Sequence, residues 1–182
     1  MFTAAPLPAS KRADGWGHLL GDEGSGYAIG LAALRAVMRA YDGRGAATAL
    51  SEAILVHWTL ATVPDLVPRV YRELQGKHEI AALAYVVEAV AAEGDAAAQH
   101  ILTIAGRELA LAAQAVARRL DLVAPIPCAL AGGVVVGGHL VLHEFKAAAE
   151  QLSLTLAPIT LVAEPALGAV ALAQTASSEQ GR

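Results

Sequence analysis

Residues 126–162 read IPCALAGGVVVGGHLVLHEFKAAAEQLSLTLAPITLV. The run 126–131 is short, apolar and stopped by Gly132 and Gly133, which is the pattern of a buried strand ending in a turn. Residues 140–151 carry helical spacing, and residues 154–162 are rich in Leu, Thr, Ile and Val and read as a second strand. Residues 165–175 return to a helical pattern. A β-α-β-α order predicts parallel strands joined by a crossover helix, and open sheets of this kind bind ligands beyond the carboxyl ends of their strands. Gly132 and Gly133 fall at that place. With no Cβ, they let backbone approach a flat or phosphorylated ligand closely, although a tight turn without a ligand reads the same way.

Towards the amino terminus the chain is helical. Residues 15–26, GWGHLLGDEGSG, form a glycine-rich block, after which Ile29, Ala33, Val37 and Ala40 recur on one face with Arg35 and Arg39 on another. This predicts an amphipathic helix starting near Glu23 and ended by Asp42 and Gly43. Asp22 is either the N-cap of that helix or a carboxylate that accepts hydrogen bonds from ligand hydroxyls. Glu23 and Ser25 read as first-turn residues rather than as base and nucleophile, since no His-Asp partner is fixed near them. Further helices are expected over 47–57, from 63 or 64 to 74, over 79–92 and over 95–119. Residues 1–14 are expected to be an unstructured leader, 15–176 a single lobe, and 177–182 a short polar tail.

Composition narrows the function. The chain has 182 residues, 55% of them hydrophobic and 16% charged, with a formal net charge of -4. Mean hydropathy is +0.48 and the pI about 5.8. Such a chain folds rather than staying disordered, and with no Lys/Arg cluster it excludes a nucleic-acid partner. The apolar stretch 125–142 is broken by two prolines and two glycine pairs, and 154–173 by Glu164 and Pro165, so neither predicts a membrane span. One cysteine, Cys128, supports neither a disulfide nor a thiolate zinc or iron-sulfur site, and places the chain in a reducing, cytoplasmic compartment. It reads as a small buried hydrophobe.

The remaining chemistry-bearing residues are few. His139 and His143 stand four apart with Glu144 beside them, but Leu140 breaks the H-E-x-x-H pattern, and no metal site is assigned. His57, His78 and His100 are scattered and read as surface or helix-end histidines. Trp16 and Trp58 read as packing residues. Neither G-x-G-x-x-G nor G-x-x-x-x-G-K-[ST] occurs.

The stretch GWGHLLGDEGSGYAIGLAALRAV at 15–37 resembles the segment that follows the second phosphate loop in the BadF/BadG/BcrA/BcrD ATPase family, in its N-acetylglucosamine and glucosamine kinase branch. Downstream, EGDAAAQHILTIAGRELALAAQAVARRL resembles the family's paired helices, CALAGGVVVGGHLVLHEFKAAA its adenosine strand, turn and helix, and EPALGAVALA its closing helix. The resemblance implies an α/β fold, the actin-like carboxy-terminal lobe of the sugar kinase, Hsp70 and ribonuclease H-like class, helix-rich with a small, mostly parallel sheet. It implies ATP and magnesium as cofactors and an amino sugar as substrate. Gly15, Trp16 and Asp22 then fall where the family's sugar pocket is lined. Gly132 and Gly133 fall on the adenosine motif, Ala131 and Val134 flank the adenine, and the helix through residues 105–109 lies near the nucleotide.

The family's amino-terminal lobe, with its D-x-G-x-T phosphate loop, catalytic aspartate and G-T-G-S loop, has no counterpart among these residues. Since phosphoryl transfer depends on positioning and charge around the γ-phosphate, the expectation is a lobe inactive alone, its metal held mainly by the missing half and its catalytic residue unknown. The alternatives are a non-catalytic assembly protein that forms a homodimer or joins a partner lobe, and a family ATPase acting as an activator. Activators carry cluster cysteines, for which Cys128 is the sole candidate here.

Overall fold

The computed structural model describes residues 10–73, 76–166, 168 and 170. Helices α1 (Gly26–Tyr41) and α2 (Leu50–His57) come first, followed by a 3-10 turn Val63–Asp65, the single turn α3 (Leu66–Pro68) and a π turn Arg69–Glu73. Then come α4 (Lys77–Ala92), α5 (Ala96–Arg119), β1 (Ile126–Ala131), α6 (Gly133–Gly137), α7 (His139–Gln151) and β2 (Leu156–Val162). The strands run parallel, with Cys128 opposite Ile159 and Ala131 opposite Val162, and α6 and α7 form the crossover.

Helix α1 starts three residues later than its sequence pattern predicts, and Asp22 does not cap it. Asp22 sits at φ 67, in the left-handed region, whereas an N-cap needs extended backbone. Ser25 has that conformation, and its Oγ accepts from the Ala28 amide at 3.2 Å. The helix then buries Ile29, Ala33, Leu34 and Val37 against Leu83 and Val87 of α4 and Leu50 and Ile54 of α2. At the crossing of α1 and α4, a Cβ built on Gly30 would lie 2.0 Å from the Ile80 carbonyl oxygen.

The single helix expected from 63 or 64 to 74 is instead three short turns. Pro68 has no N–H to donate and its ring crowds the preceding turn, so an unbroken α-helix is not available there. Asp65 Oδ2 accepts from both the amide and the hydroxyl of Thr62 and holds the entry to this segment. Arg69 pairs with Glu79 of α4, and its guanidinium lies 5.0 Å from the Trp58 ring centroid.

Helix α5 is the longest, 24 residues or about 36 Å. Its first half joins the α1/α4 core through Ala98, Ile101, Leu102 and Ala105. Its second half makes a smaller core with Phe145, Ala148 and Ala149 of α7 and the inner side of β1. Gly106 allows that second contact, because a Cβ there would lie 2.6 Å from the Phe145 amide nitrogen. Gln114 Nε2 donates to the Leu152 carbonyl at 2.9 Å and fastens the far end of α7.

Asp95 joins two helix starts. Its Oδ1 accepts from the Ala98 amide at 2.9 Å and its Oδ2 from the Ala49 amide at 2.8 Å, while the Thr48 hydroxyl donates to the same carboxylate. Burial pushes its pKa up, but the hydrogen bonds from Ala98, Ala49, Thr48 and Ala97 outweigh that, and the carboxyl lies below its ordinary value. A depressed carboxyl pKa stabilises the fold fully above the unfolded value, about 4, and the contribution is lost as pH falls through the lower folded value. Asp95→Ala is therefore expected to cost about 2 kcal/mol at neutral pH. In urea titrations Asp95→Asn should lose less stability between pH 5 and 2 than the parent; parallel pH profiles would refute the assignment.

The sheet is covered on one side. Ile126, Cys128 and Leu130 pack on α5 and α7, while Pro127, Ala129 and Ala131 face outward and Leu161 of β2 is 45% exposed. Strand β2 begins at Leu156 rather than at 154, with Leu154 buried in the smaller core just before it. Of the helix expected over 165–175, Pro165 and Ala166 are helical and most of the rest lies outside the described residues. No described helix is long and apolar enough to cross a membrane.

Candidate functional site

The chain leaves β1 at Ala131 and turns at Gly132, whose φ of 104 and ψ of 152 lie in a region open essentially to glycine alone. The Gly132 carbonyl accepts from the amides of Val135 and Val136 and starts α6, a short helix where the sequence pattern predicts only a turn before the helix over 140–151. A Cβ on Gly132 would meet nothing within 4 Å. Glycine is thus required there by backbone conformation, and the space beside it is open. Gly138 joins α6 to α7, and Glu88 of α4 reaches across to accept the Leu140 amide with Oε1, anchoring the start of α7.

Beside this turn lies a pocket of about 360 Å³, walled by Gly26 at the start of α1, His78, Tyr85 and Glu88 of α4, and Gly133 and Val134. The ends of the two glycine-rich stretches meet here, since a Cβ on Gly26 would lie 3.3 Å from Val134 Cγ2. Gly133 and Val134 of the expected adenosine set line the pocket, whereas Ala131 stays exposed at the end of β1.

The loop before α1 is held by left-handed residues, with Asp14, Gly15, Gly17, Asp22 and Gly24 all at positive φ. Asp14 Oδ1 accepts the Asp22 amide at 2.7 Å, and the Gly17 carbonyl accepts from Leu20 and Gly21. Gly24 rests on α5, where a Cβ would lie 2.7 Å from Leu109 Cγ and 2.8 Å from the Ala105 carbonyl oxygen. This brings the helix through residues 105–109 against the end of the glycine block. Trp16 is not a packing residue: it is 65% exposed, with the Arg12 guanidinium 4.5 Å above its ring. The Asp22 carboxylate makes no hydrogen bond among the described residues, and none of Gly15, Trp16 and Asp22 lines the pocket at Gly133.

His143 pairs with neighbouring Glu144 at 3.2 Å and is 74% exposed. Among the described residues no three His, Cys, Asp or Glu side chains come together as metal ligands. Burial pushes the Cys128 thiol up, away from thiolate reactivity. Sequence reasoning missed the α4 wall. His78 passed as a helix-end histidine and Tyr85 and Glu88 were not singled out, although 78, 85 and 88 fall on one face at helical spacing, a polar stripe in an alanine- and valine-rich helix.

The profile of the BadF/BadG/BcrA/BcrD ATPase family matches residues 9–173. The chain belongs to this family. Among BadF/BadG/BcrA/BcrD relatives, an N-acetylmuramic acid/N-acetylglucosamine kinase of Clostridium acetobutylicum is 36% identical over 170 residues, 91% of this chain and 55% of that protein. An N-acetyl-D-glucosamine kinase of Dictyostelium discoideum is 36% identical over 114 residues, 62% of this chain and 36% of that protein. A solved Chromobacterium violaceum structure, assigned as an N-acetylglucosamine kinase, superposes with TM-score 0.60 and 30% identity over 79% of this chain and 46% of that one. A Porphyromonas gingivalis structure with the same assignment superposes with TM-score 0.61 at 18% identity, covering 85% of this chain and 49% of that one, and bears on the fold alone. The fold is that of an actin-like sugar kinase lobe. The chain spans about half the length of the relatives it matches.

Proposed function

We propose that this chain is the carboxy-terminal lobe of an ATP-dependent amino-sugar kinase that phosphorylates the 6-hydroxyl of N-acetylglucosamine or glucosamine, and that it depends on an amino-terminal lobe for turnover. The observation that carries the reading is Gly132: it closes a parallel strand in a glycine-only conformation, faces open space and stands beside a pocket of small-molecule size. The family and the kinase relatives support it.

The residues present fit the adenosine end of the nucleotide. Gly132 and Gly133 offer bare backbone, Val134 an apolar edge, and Ala131 sits at the strand end before them. Asp22, with its carboxylate unengaged, would accept hydrogen bonds from sugar hydroxyls, and exposed Trp16 would set its ring against the pyranose, with Gly15 permitting close approach. Bound ATP would supply the phosphoryl group. Magnesium would travel with the nucleotide phosphates and be held mainly by carboxylates of the amino-terminal lobe. No general base is assigned among these residues.

In a coupled assay with ATP and either sugar, the chain alone is expected to give no turnover, and ATP to bind no more than about three-fold tighter than adenosine, because phosphate affinity and catalysis need groups from a second lobe. Turnover that Asp22→Ala abolishes would overturn that dependence while keeping the kinase; failure to bind either adenosine or sugar would overturn the kinase lobe itself. The outward, partly apolar face of β1 and β2 favours a second reading, a non-catalytic assembly protein, which a dimer mass by light scattering together with no ligand binding would support.

A further inference from the structure

We propose that Tyr85 is the aromatic wall of the nucleotide-base slot, its ring held along Gly133 and Gly137 so that its free face receives the purine. The proposal rests on the reading that this lobe binds ATP and adds a contact from α4, an element outside the strand and turn.

The two glycines are the first observation. Neither Gly133 nor Gly137 has a positive φ, so backbone conformation does not demand glycine at either. What they make room for is Tyr85: a Cβ on Gly133 would lie 2.8 Å from its Oη, and one on Gly137 would lie 3.2 Å from its Cε1. Separated by one helical turn, they form a bare strip along which the ring lies. Gly133 and Gly137 are the first and last residues of α6, and a side chain at either would meet the ring.

The second observation is that the ring is not covered. Tyr85 is 58% exposed and forms part of the pocket wall. Glu88 Oε1 accepts the Leu140 amide, which fixes the carboxylate at the α7 edge of the pocket and leaves one oxygen, Oε2, on its wall. Beside it the pocket is faced by the tyrosine ring, Ala81, Ala84 and Val134, with His78 as a polar group at the head of α4. A phosphate would find no Lys or Arg among these, and most of the wall is aromatic or aliphatic rather than hydrogen-bonding. A flat heteroaromatic base fits, because stacking on tyrosine needs only a π-face.

The test is binding of adenosine and of ribose to the 182-residue chain by calorimetry and ligand-observed NMR, for the parent, Tyr85→Ala, Tyr85→Phe and Gly133→Ala. Tyr85→Ala should bind adenosine about ten-fold more weakly, Tyr85→Phe within about two-fold of the parent, and ribose binding should be alike in both. Gly133→Ala, which displaces the tip of the ring, should weaken adenosine as well. Circular dichroism should show Tyr85→Ala folded, since the side chain is exposed. Parent binding that Tyr85→Ala leaves unchanged or improves, or a Tyr85→Phe as weak as Tyr85→Ala, would overturn the role of the ring while leaving the kinase lobe intact. A parent that binds no adenosine would overturn both.

Discussion

Gly30→Ala is expected to cost about 2–4 kcal/mol, a large part of the 5–15 kcal/mol that holds a domain of this kind together. Alanine in a helix interior is ordinarily favoured over glycine by about 1 kcal/mol, so the sign is set entirely by the neighbour. That neighbour is backbone: the new methyl would stand 2.0 Å from the Ile80 carbonyl oxygen and 2.9 Å from its carbon. No side-chain rotation relieves such a contact, and α1 and α4 must part along Ile29, Ala33, Leu83 and Val87, all buried in the main core. Gly43→Ala is the control, at φ 73 with nothing within 4 Å, and should cost about 1 kcal/mol of backbone strain. Urea titrations of the two variants would measure the difference. Equal midpoints would mean that α1 and α4 do not cross as described.

Gly132→Ala should reduce adenosine affinity at least ten-fold, an effect expected to exceed that of any single side chain in the pocket. The residue holds φ 104 and ψ 152, where alanine is strained by about 1–3 kcal/mol, so the turn must either bear the strain or rearrange. A methyl there would meet no protein atom within 4 Å. The change thus acts through turn geometry and ligand approach rather than through packing, and a stable variant with lost binding is the expected pair of results. Unchanged adenosine binding, measured by calorimetry beside a thermal melt, would remove Gly132 from the site.

The residues that announced themselves in the sequence were those tied to regular patterns. The β-α-β order was legible because 126–131 and 140–151 follow distinct periods separated by a glycine pair, and the strand over 126–131 is as read. The glycine block was legible as unusual, but its conformation was not. Asp22 has the composition of an N-cap and Ser25 that of a first-turn residue, and only the left-handed turn at Asp22 passes the cap on to Ser25. Pro68 lies inside the helical spacing that predicts a helix from 63 or 64 to 74, and that spacing alone does not show the break. The α4 wall was illegible for a different reason. Whether Tyr85 faces a pocket or bulk water depends on where Gly133 and Gly137 arrive, dozens of residues later, and no local pattern carries that.

One turn of α5 carries a further implication. The Ala105 carbonyl and Leu109 support Gly24 of the amino-terminal loop, while Gly106, between them in sequence, takes the backbone of α7. Two segments that otherwise share little chain are therefore referenced to a single datum, as two instruments bolted to one bench. Their relative offset is fixed by one helical turn and does not accumulate error through the sheet or the loops. Whatever moves this lobe as a body carries both glycine-rich loops together, and a shift at Ala105 would register at both as a correlated displacement.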